Sequence, residues 1–304
     1  MKAVLQDMKS GELTLADVPP PNLQPGGILV QVTRSVISLG TERSVIALAR
    51  KGPLGKARDR PDLVRKIMNR ARQEGVRSTY NVVRNLLSSP IPLGYSCAGR
   101  VLSAGAETPE FRVGDRVACA GLGFANHAEI DYVPRNLATP VPDGVPDESA
   151  AFVAIGAIAL HGLRLGSLSL GDSALVLGLG LVGQITAQLA RAAGATVVGY
   201  DPDPEKAALA ERLGAHVVST RAKDLLPRIR AITGGSGVDA VLICAASKSD
   251  APIRLAAEAA RLRARVIVVG DVPINLERRP FFEKEIEVKV SRSYGPGRYD
   301  AAYE

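Results

Sequence analysis

The sequence predicts a β-rich first half followed by a doubly wound, parallel α/β half. Three observations carry this. Up to about residue 148, short apolar runs are separated by Pro/Gly clusters such as "PPPNLQPGG" and "SAGAETPE", the pattern of a small β-barrel or sandwich. From about residue 173, strand-like and helix-like periods alternate, which implies parallel strands joined by crossover helices. At the first of those strand-to-helix junctions stands "GLGLVG".

In order, the expected strands of the first half are 1–6, 11–18, 28–37, 94–102, 115–120 and 127–133. A basic stretch interrupts them. Within "DRPDLVRKIMNRARQEG", Leu63, Ile67 and Ala71 recur every four residues, and "STYNVVRNLL" repeats the pattern with Tyr80, Val83 and Leu87. This predicts a two-helix insert over about 43–90. The insert holds twelve Lys/Arg and three acids, a charge of +9, against +7 for the 304-residue chain, so the remainder is −2. Such a segment raises the local concentration of an anionic ligand; a solvated face or a docking surface for another domain explains it equally well.

The second half is expected to carry strands at 174–178, 196–200, 216–219, 239–244 and 265–269, helices at 181–193, 204–213, 222–233 and 251–262, and a last strand in "EIEVKVSRSY". Domains are therefore expected at 1–148 and 149–304. The longest apolar run, residues 150–160, is shorter than the roughly 20 residues a bilayer requires, and the first residues lack a signal-peptide layout. Three well-separated cysteines, Cys97, Cys119 and Cys244, argue against a disulfide framework or a Cys-x-x-Cys metal knuckle. A cytoplasmic location follows as the expectation. With no tryptophan and few aromatics, a nucleic-acid stacking platform is not expected.

The glycines of the junction, Gly178, Gly180 and Gly183, have a physical reason. The first makes a tight turn, the second lets backbone amides approach a pyrophosphate, and the third lets helix and strand pack closely. The helix start adds Leu181 and Val182, whose N–H groups carry partial positive charge. The next strand, "ATVVGYD", ends at Asp201, eighteen residues after Gly183, where a carboxylate accepts ribose hydroxyls and repels a 2′-phosphate. NAD is expected over NADP. Val269 and Gly270, at the end of the fifth strand, complete the expected cofactor set.

A strand-rich half followed by this fingerprint resembles the medium-chain dehydrogenase/reductases: a GroES-like domain, then a Rossmann domain. "FRVGDRVACAG", "AAFVAIGAIALHGL" and "DPDPEKAALAERLGA" match the family's strand, linking helix and post-acidic stretch, so the resemblance spans essentially the whole chain. It places the family's cofactor-contacting lysine on Lys206. The basic insert with "PIPLGYSCAGRV", and "SRSYGPGRYD", are similar to bacterial two-domain oxidoreductases in which such a unit precedes a Gfo/Idh-type Rossmann unit. Because family members normally run on past this strand, the chain is expected either to be a fragment or to continue into the missing segment and a C-terminal second oxidoreductase domain; the alternative is a short protein whose 43–90 insert covers the gap. The resemblance also implies a homodimer paired through the strand near 285–292.

Zinc-dependent members place a cysteine, then Gly-Ser/Thr-Asp/Glu, where this chain has "LGTE", with Leu39 at the cysteine. Their Gly-His-Glu motif is here Gly94-Tyr95-Ser96. Catalytic zinc takes about three protein ligands, and leucine and tyrosine remove two of them, so no metal ligands and no zinc are expected. Cys97, one residue further on, is expected not to share that site. The family cleft instead suggests Thr41, Tyr95 and Ser96 as substrate contacts, with Tyr95 as proton donor. A capped turn, a Glu42–Arg43 pair and a half-buried strand tyrosine are the plain structural readings. His161 is read as a helix-core histidine, His127 and His216 as surface or strand residues. The implied function is zinc-independent hydride transfer between a nicotinamide and a small alcohol or carbonyl, sugar-like or anionic; the alternative is a non-catalytic dinucleotide-binding module of a larger oxidoreductase.

Overall fold

The structure is a computed structural model that describes residues 1–8, 10–38, 40, 42, 46, 47, 65, 68, 69, 72, 75 and 90–300. Leu39, Thr41 and nearly all of the expected helical insert lie outside the described residues. The chain divides into two compact units, Met1–Ala154 and Ile155–Glu304.

The first unit holds β1 (Lys2–Gln6), β2 (Leu13–Asp17), β3 (Gly27–Ser35), β4 (Ile91–Pro92), β5 (Ser96–Ala104), β6 (Arg116–Ala120), β7 (Ile130–Pro134) and β8 (Ala138–Pro140). They form a three-stranded sheet, β2-β1-β4, and a five-stranded one, β7-β3-β5-β6-β8, with every pairing antiparallel. Among the expected strands that start later than the sequence suggested, two show the reason. β5 begins at Ser96 because Gly94 takes φ +97°, and a Cβ there would lie 2.8 Å from the His127 nitrogen. β7 begins at Ile130 because His127 is engaged elsewhere: its N–H donates to Leu93 O (2.7 Å), and its carbonyl accepts from Val4 N (2.9 Å). A short helix, α1 (Asp147–Ala150), is tied to the larger sheet. The Asp147 carboxylate accepts from Thr33 Oγ1 and Arg116, both at 2.6 Å. Those hydrogen bonds, Thr33's first, hold its carboxyl below the usual range. The face between helix and sheet is lined by Ala98, Ala118, Ala150 and Ala151, small residues that allow close approach.

The second unit opens with α2 (Val153–Gly166). Its six strands, β9 (Ser173–Leu177), β10 (Thr196–Tyr200), β11 (Val217–Ser219), β12 (Val238–Ile243), β13 (Ala260–Val268) and β14 (Glu287–Val290), run in the order β11-β10-β9-β12-β13-β14. All are parallel. Crossovers include α3 (Leu181–Ala192), α4 (Pro204–Arg212), α5 (Ala222–Ile232) and α6 (Ala251–Ala259), and α7 (Arg278–Glu283) precedes β14. The central strands are largely apolar because both faces are covered; β9 is buried at every position. This is the doubly wound sheet the sequence implied. One boundary is corrected. α6 stops at Ala259 rather than near 262, and β13 starts five residues early. The early residues form an irregular entry, with the β12 register slipping between Val238 and Ala240. Arg261 Nε donates to Asp239 there (2.5 Å), and Lys284 Nζ bonds the Ala257, Glu258 and Ala260 carbonyls at 2.7–3.0 Å. A cation at the end of a helix satisfies its last carbonyls, and here it does so from a distant segment that local periodicity does not register.

Candidate active site

The glycine loop follows β9. Gly178 has φ +90°, and a Cβ on it would lie 2.6 Å from the Ala245 backbone. A Cβ on Gly183 would come within 1.9 Å of Gly178 O, whereas one on Gly180 would meet nothing within 4 Å. The first and third glycines therefore close the loop against β12 and against itself, and the second leaves room in front of the backbone. α3 starts at Leu181, so the first-turn N–H groups of Leu181, Val182 and Gly183 are the unsatisfied donors of a helix end. Gly270 backs onto the same place: a Cβ there would lie 2.1 Å from Ala245 O. Its N–H and that of Val269 both donate to Ile243 O (2.8 and 3.0 Å). The ends of β9, β12 and β13 thus converge, in an open parallel sheet, at the side where such folds bind ligands.

Asp201 directly follows β10 and is only 7% exposed. Its Oδ2 accepts from Leu179 N (2.8 Å) and its Oδ1 from Asp203 N (2.9 Å). The carboxylate braces the glycine loop and the entry to α4 while keeping lone pairs for further donors. Lys206 is held 3.0 Å from Asp203 Oδ2, and this bond raises the lysine and lowers the aspartate. Sequence reading missed Gln184. Its Nε2 donates to Leu179 O (3.0 Å) and Lys206 O (2.8 Å), joining the loop to α4. The only trace in the sequence was one polar residue on the buried face of an amphipathic helix. An open cradle with amide donors, beside a fixed carboxylate, fits a dinucleotide.

In the first unit, Glu42 N donates to Ser38 O (2.9 Å), and Ser38 N returns a bond to Glu42 Oε1 (2.8 Å). Among the described residues the Glu42 side chain also meets His127, with Nε2 3.3 Å from Oε1; Arg43, its expected partner, lies outside them. His127 is therefore neither a surface nor a strand residue. Both side chains are 11% exposed, and His127 Nδ1 lies 2.9 Å from Ser35 Oγ. Tyr95 is buried. Ser96, expected as a substrate contact, is 0% exposed; its hydroxyl donates to Ala151 O (2.5 Å) and accepts from Ala154 N (3.1 Å). It fastens β5 to the chain around α1. Cys97 and Cys119 are cross-strand partners and buried, and their mutual hydrogen bond pushes the Cys97 thiol far up. His161 is buried on α2, where desolvation lowers it.

Asp131 was not anticipated. It is 3% exposed, accepts from Asn126 N and Nδ2 (both 2.7 Å), and is pushed up to about 7 by burial. Among the described residues no group of three or more His, Cys, Asp or Glu is placed to hold a metal ion, and no helix is long and apolar enough to cross a membrane.

Residues 182–304 match the zinc-binding dehydrogenase family. Sorbitol dehydrogenase of Bacillus subtilis is 28% identical over 253 residues, covering 72% of this chain and 69% of that protein. D-arabitol-phosphate dehydrogenase of Enterococcus avium is 28% identical over 243 residues, 69% and 68% of the two chains. The crystal structure of 2R,3R-butanediol dehydrogenase from Bacillus subtilis superposes with a TM-score of 0.73 at 22% identity, over 98% of this chain and 86% of that one. The fold is that of these dehydrogenase structures. Its first unit is GroES-like and its second a Rossmann unit.

Proposed function

We propose that this chain is an NAD-preferring, zinc-independent dehydrogenase/reductase of the medium-chain type acting on a small polyol or related carbonyl compound. The observation that carries the reading is the cradle around Gly180, open where a pyrophosphate would lie, with Asp201 fixed beside it by Leu179 N and Asp203 N. Gly178, Gly180, Leu181, Val182 and Gly183 would hold the phosphates, Asp201 the adenosine ribose, and Val269 and Gly270 would line the strand ends. Lys206, tied to Asp203, would reach the ribose from α4. The bound nicotinamide supplies hydride transfer; the chain supplies orientation and the accompanying proton movement. Polyol and polyol-phosphate relatives and the +9 insert support a sugar-like, anionic substrate. A cytoplasmic location accords with the reduced cysteines.

NAD(H) should bind at least tenfold more tightly than NADP(H), about 1.4 kcal/mol. Asp201→Ala should weaken NAD(H) and erase most of that preference. Fluorescence titration of both cofactors decides it, and tighter NADP(H) binding by the parent chain would refute the assignment.

Zinc independence rests on donor chemistry, since Leu39 and Tyr95 offer no thiolate or imidazole. Elemental analysis after dialysis should find well under one zinc per chain, and a stoichiometric content would place the metal on ligands not identified above. Assembly as a homodimer through β14, the edge strand of its sheet, would cover exposed backbone groups. Light scattering at micromolar concentration should report twice the 31.9 kDa chain mass; monomer alone would exclude it.

A further inference from the structure

Asp201, Asp203 and Lys206 stand where β10 ends and α4 begins, and each is tied to the next. Asp203 N donates to Asp201 Oδ1 (2.9 Å). As the N-cap of α4, Asp203 accepts from Glu205 N on Oδ1 (3.0 Å), while its Oδ2 lies 3.0 Å from Lys206 Nζ. One oxygen therefore holds the helix end and the other holds the lysine. The stem of Lys206 is fixed as well, its carbonyl accepting from Gln184 Nε2 (2.8 Å). Its ammonium is raised first by the Asp203 bond and also by the charge of Asp201, so it feels both carboxylates. Unlike Asp201, which is buried, the two paired side chains are open to a ligand, Lys206 at 47% and Asp203 at 40% exposed. The other cation at these strand ends is clamped in the same way. Asp201 N donates to Ser219 O (3.3 Å) at the end of β11, and two positions further Arg221 is held 2.6 Å from Asp224.

We infer that Asp203 is a second determinant of cofactor specificity, a positioning residue that withholds the Lys206 ammonium from a 2′-phosphate. The inference rests on the NAD reading given above and deepens it. Asp201 repels a 2′-phosphate by its charge, but an unpaired lysine beside it would cancel much of that repulsion, because an ammonium on a flexible stem is a ready phosphate partner. With Asp203 on the lysine, a phosphate gains the cation only by breaking the pair, and it then meets the released Asp203 carboxylate as well. The ribose hydroxyls of NAD are neutral and make no such demand. An ammonium has three donors, so Lys206 can keep Asp203 on one of them and still donate to a hydroxyl with another. The pair thus costs NAD nothing and NADP a cation. Because both partners are well exposed, the pair contributes little to the stability of the fold, and its effect falls on cofactor choice.

Fluorescence titration with NADH and NADPH tests this without any turnover. Asp203→Asn removes the charge and keeps a side-chain oxygen to cap α4, a position where Asn serves as well as Asp. In this variant NADPH affinity should rise about fivefold, the upper end for an exposed charge pair, and NADH affinity should stay within about twofold of the parent. Thermal unfolding should be unchanged, and added salt should shrink the NADPH gain. Asp203→Glu, which returns the charge, should restore the parent ratio of the two affinities. In a Lys206→Met background, Asp203→Asn should give no NADPH gain, because no ammonium is left to release. Unchanged NADPH affinity in Asp203→Asn, with a parent that binds NADH, overturns the role of Asp203 and leaves the NAD assignment standing. A full gain in the Lys206→Met background overturns the route through the lysine. A parent chain that binds neither cofactor overturns the cofactor assignment itself and removes this inference with it.

Discussion

Gly183→Ala is expected to abolish measurable NAD(H) binding and to destabilise the second unit by about 1–3 kcal/mol, the range for overpacked interiors. The new methyl would be placed 1.9 Å from Gly178 O and 2.9 Å from its carbonyl carbon. Both are backbone atoms of the loop, so no side-chain rotation relieves the clash; the loop must open or α3 must move away from β9. Gly180→Ala is the informative partner. Its Cβ meets nothing within 4 Å, and its φ of −68° suits alanine, so the fold should keep its stability within about 0.5 kcal/mol, as at ordinary tolerant sites. Yet the methyl would project into the space assigned to the pyrophosphate, and NAD(H) affinity should fall at least about tenfold, 1.4 kcal/mol. Thermal unfolding and cofactor titration of both variants separate packing from binding. Parent-like affinity in Gly180→Ala would show that the phosphates do not lie against this loop.

The second large effect is a loss of stability as pH rises, centred on Asp131. Burial holds its carboxyl neutral up to about 7, against 3.8 for the free side chain. The native state therefore retains a proton that the unfolded chain has released. Stability due to this group is complete below the unfolded value and is lost as pH climbs through the interval to the folded one. At 1.36 kcal/mol per unit, the interval is worth on the order of 4 kcal/mol, of which roughly two thirds falls between pH 5 and pH 8. The depressed carboxylates Asp147, Asp203 and Asp239 act in the opposite sense, their stabilisation being lost as pH falls, so they do not mask the slope above pH 5. Asp131→Asn keeps the shape and cannot ionise. Urea unfolding at pH 5 to 8 should show the parent weakening while the variant stays level and becomes the more stable of the two at pH 8. Parallel profiles would mean that Asp131 is ionised in the fold.

The two-part architecture, the parallel sheet and the glycine loop with Asp201 are legible in the sequence, because each is written in local pattern. Strand and helix periods, a turn that needs positive φ at Gly178, and a carboxylate at a strand end are all contiguous or nearly so. The identities of Leu39 and Tyr95, on which the expectation of no zinc rests, are likewise independent of packing. Which distant side chains meet is set by the fold alone. Ser96 reads from the sequence as a substrate hydroxyl, and in the fold it bonds Ala151 O and Ala154 N. His127 reads as a strand residue, and it turns toward Glu42, 85 positions away. Asp131 alternates with apolar neighbours as any half-buried strand residue would, and its neutrality comes from the depth at which β7 places it. Lys284 ends a helix 25 residues before it in the chain, counting from Ala259. Each of these depends on hydrogen bonds and desolvation set by the crossing of separate elements, and a periodic pattern along one element carries no record of what crosses it.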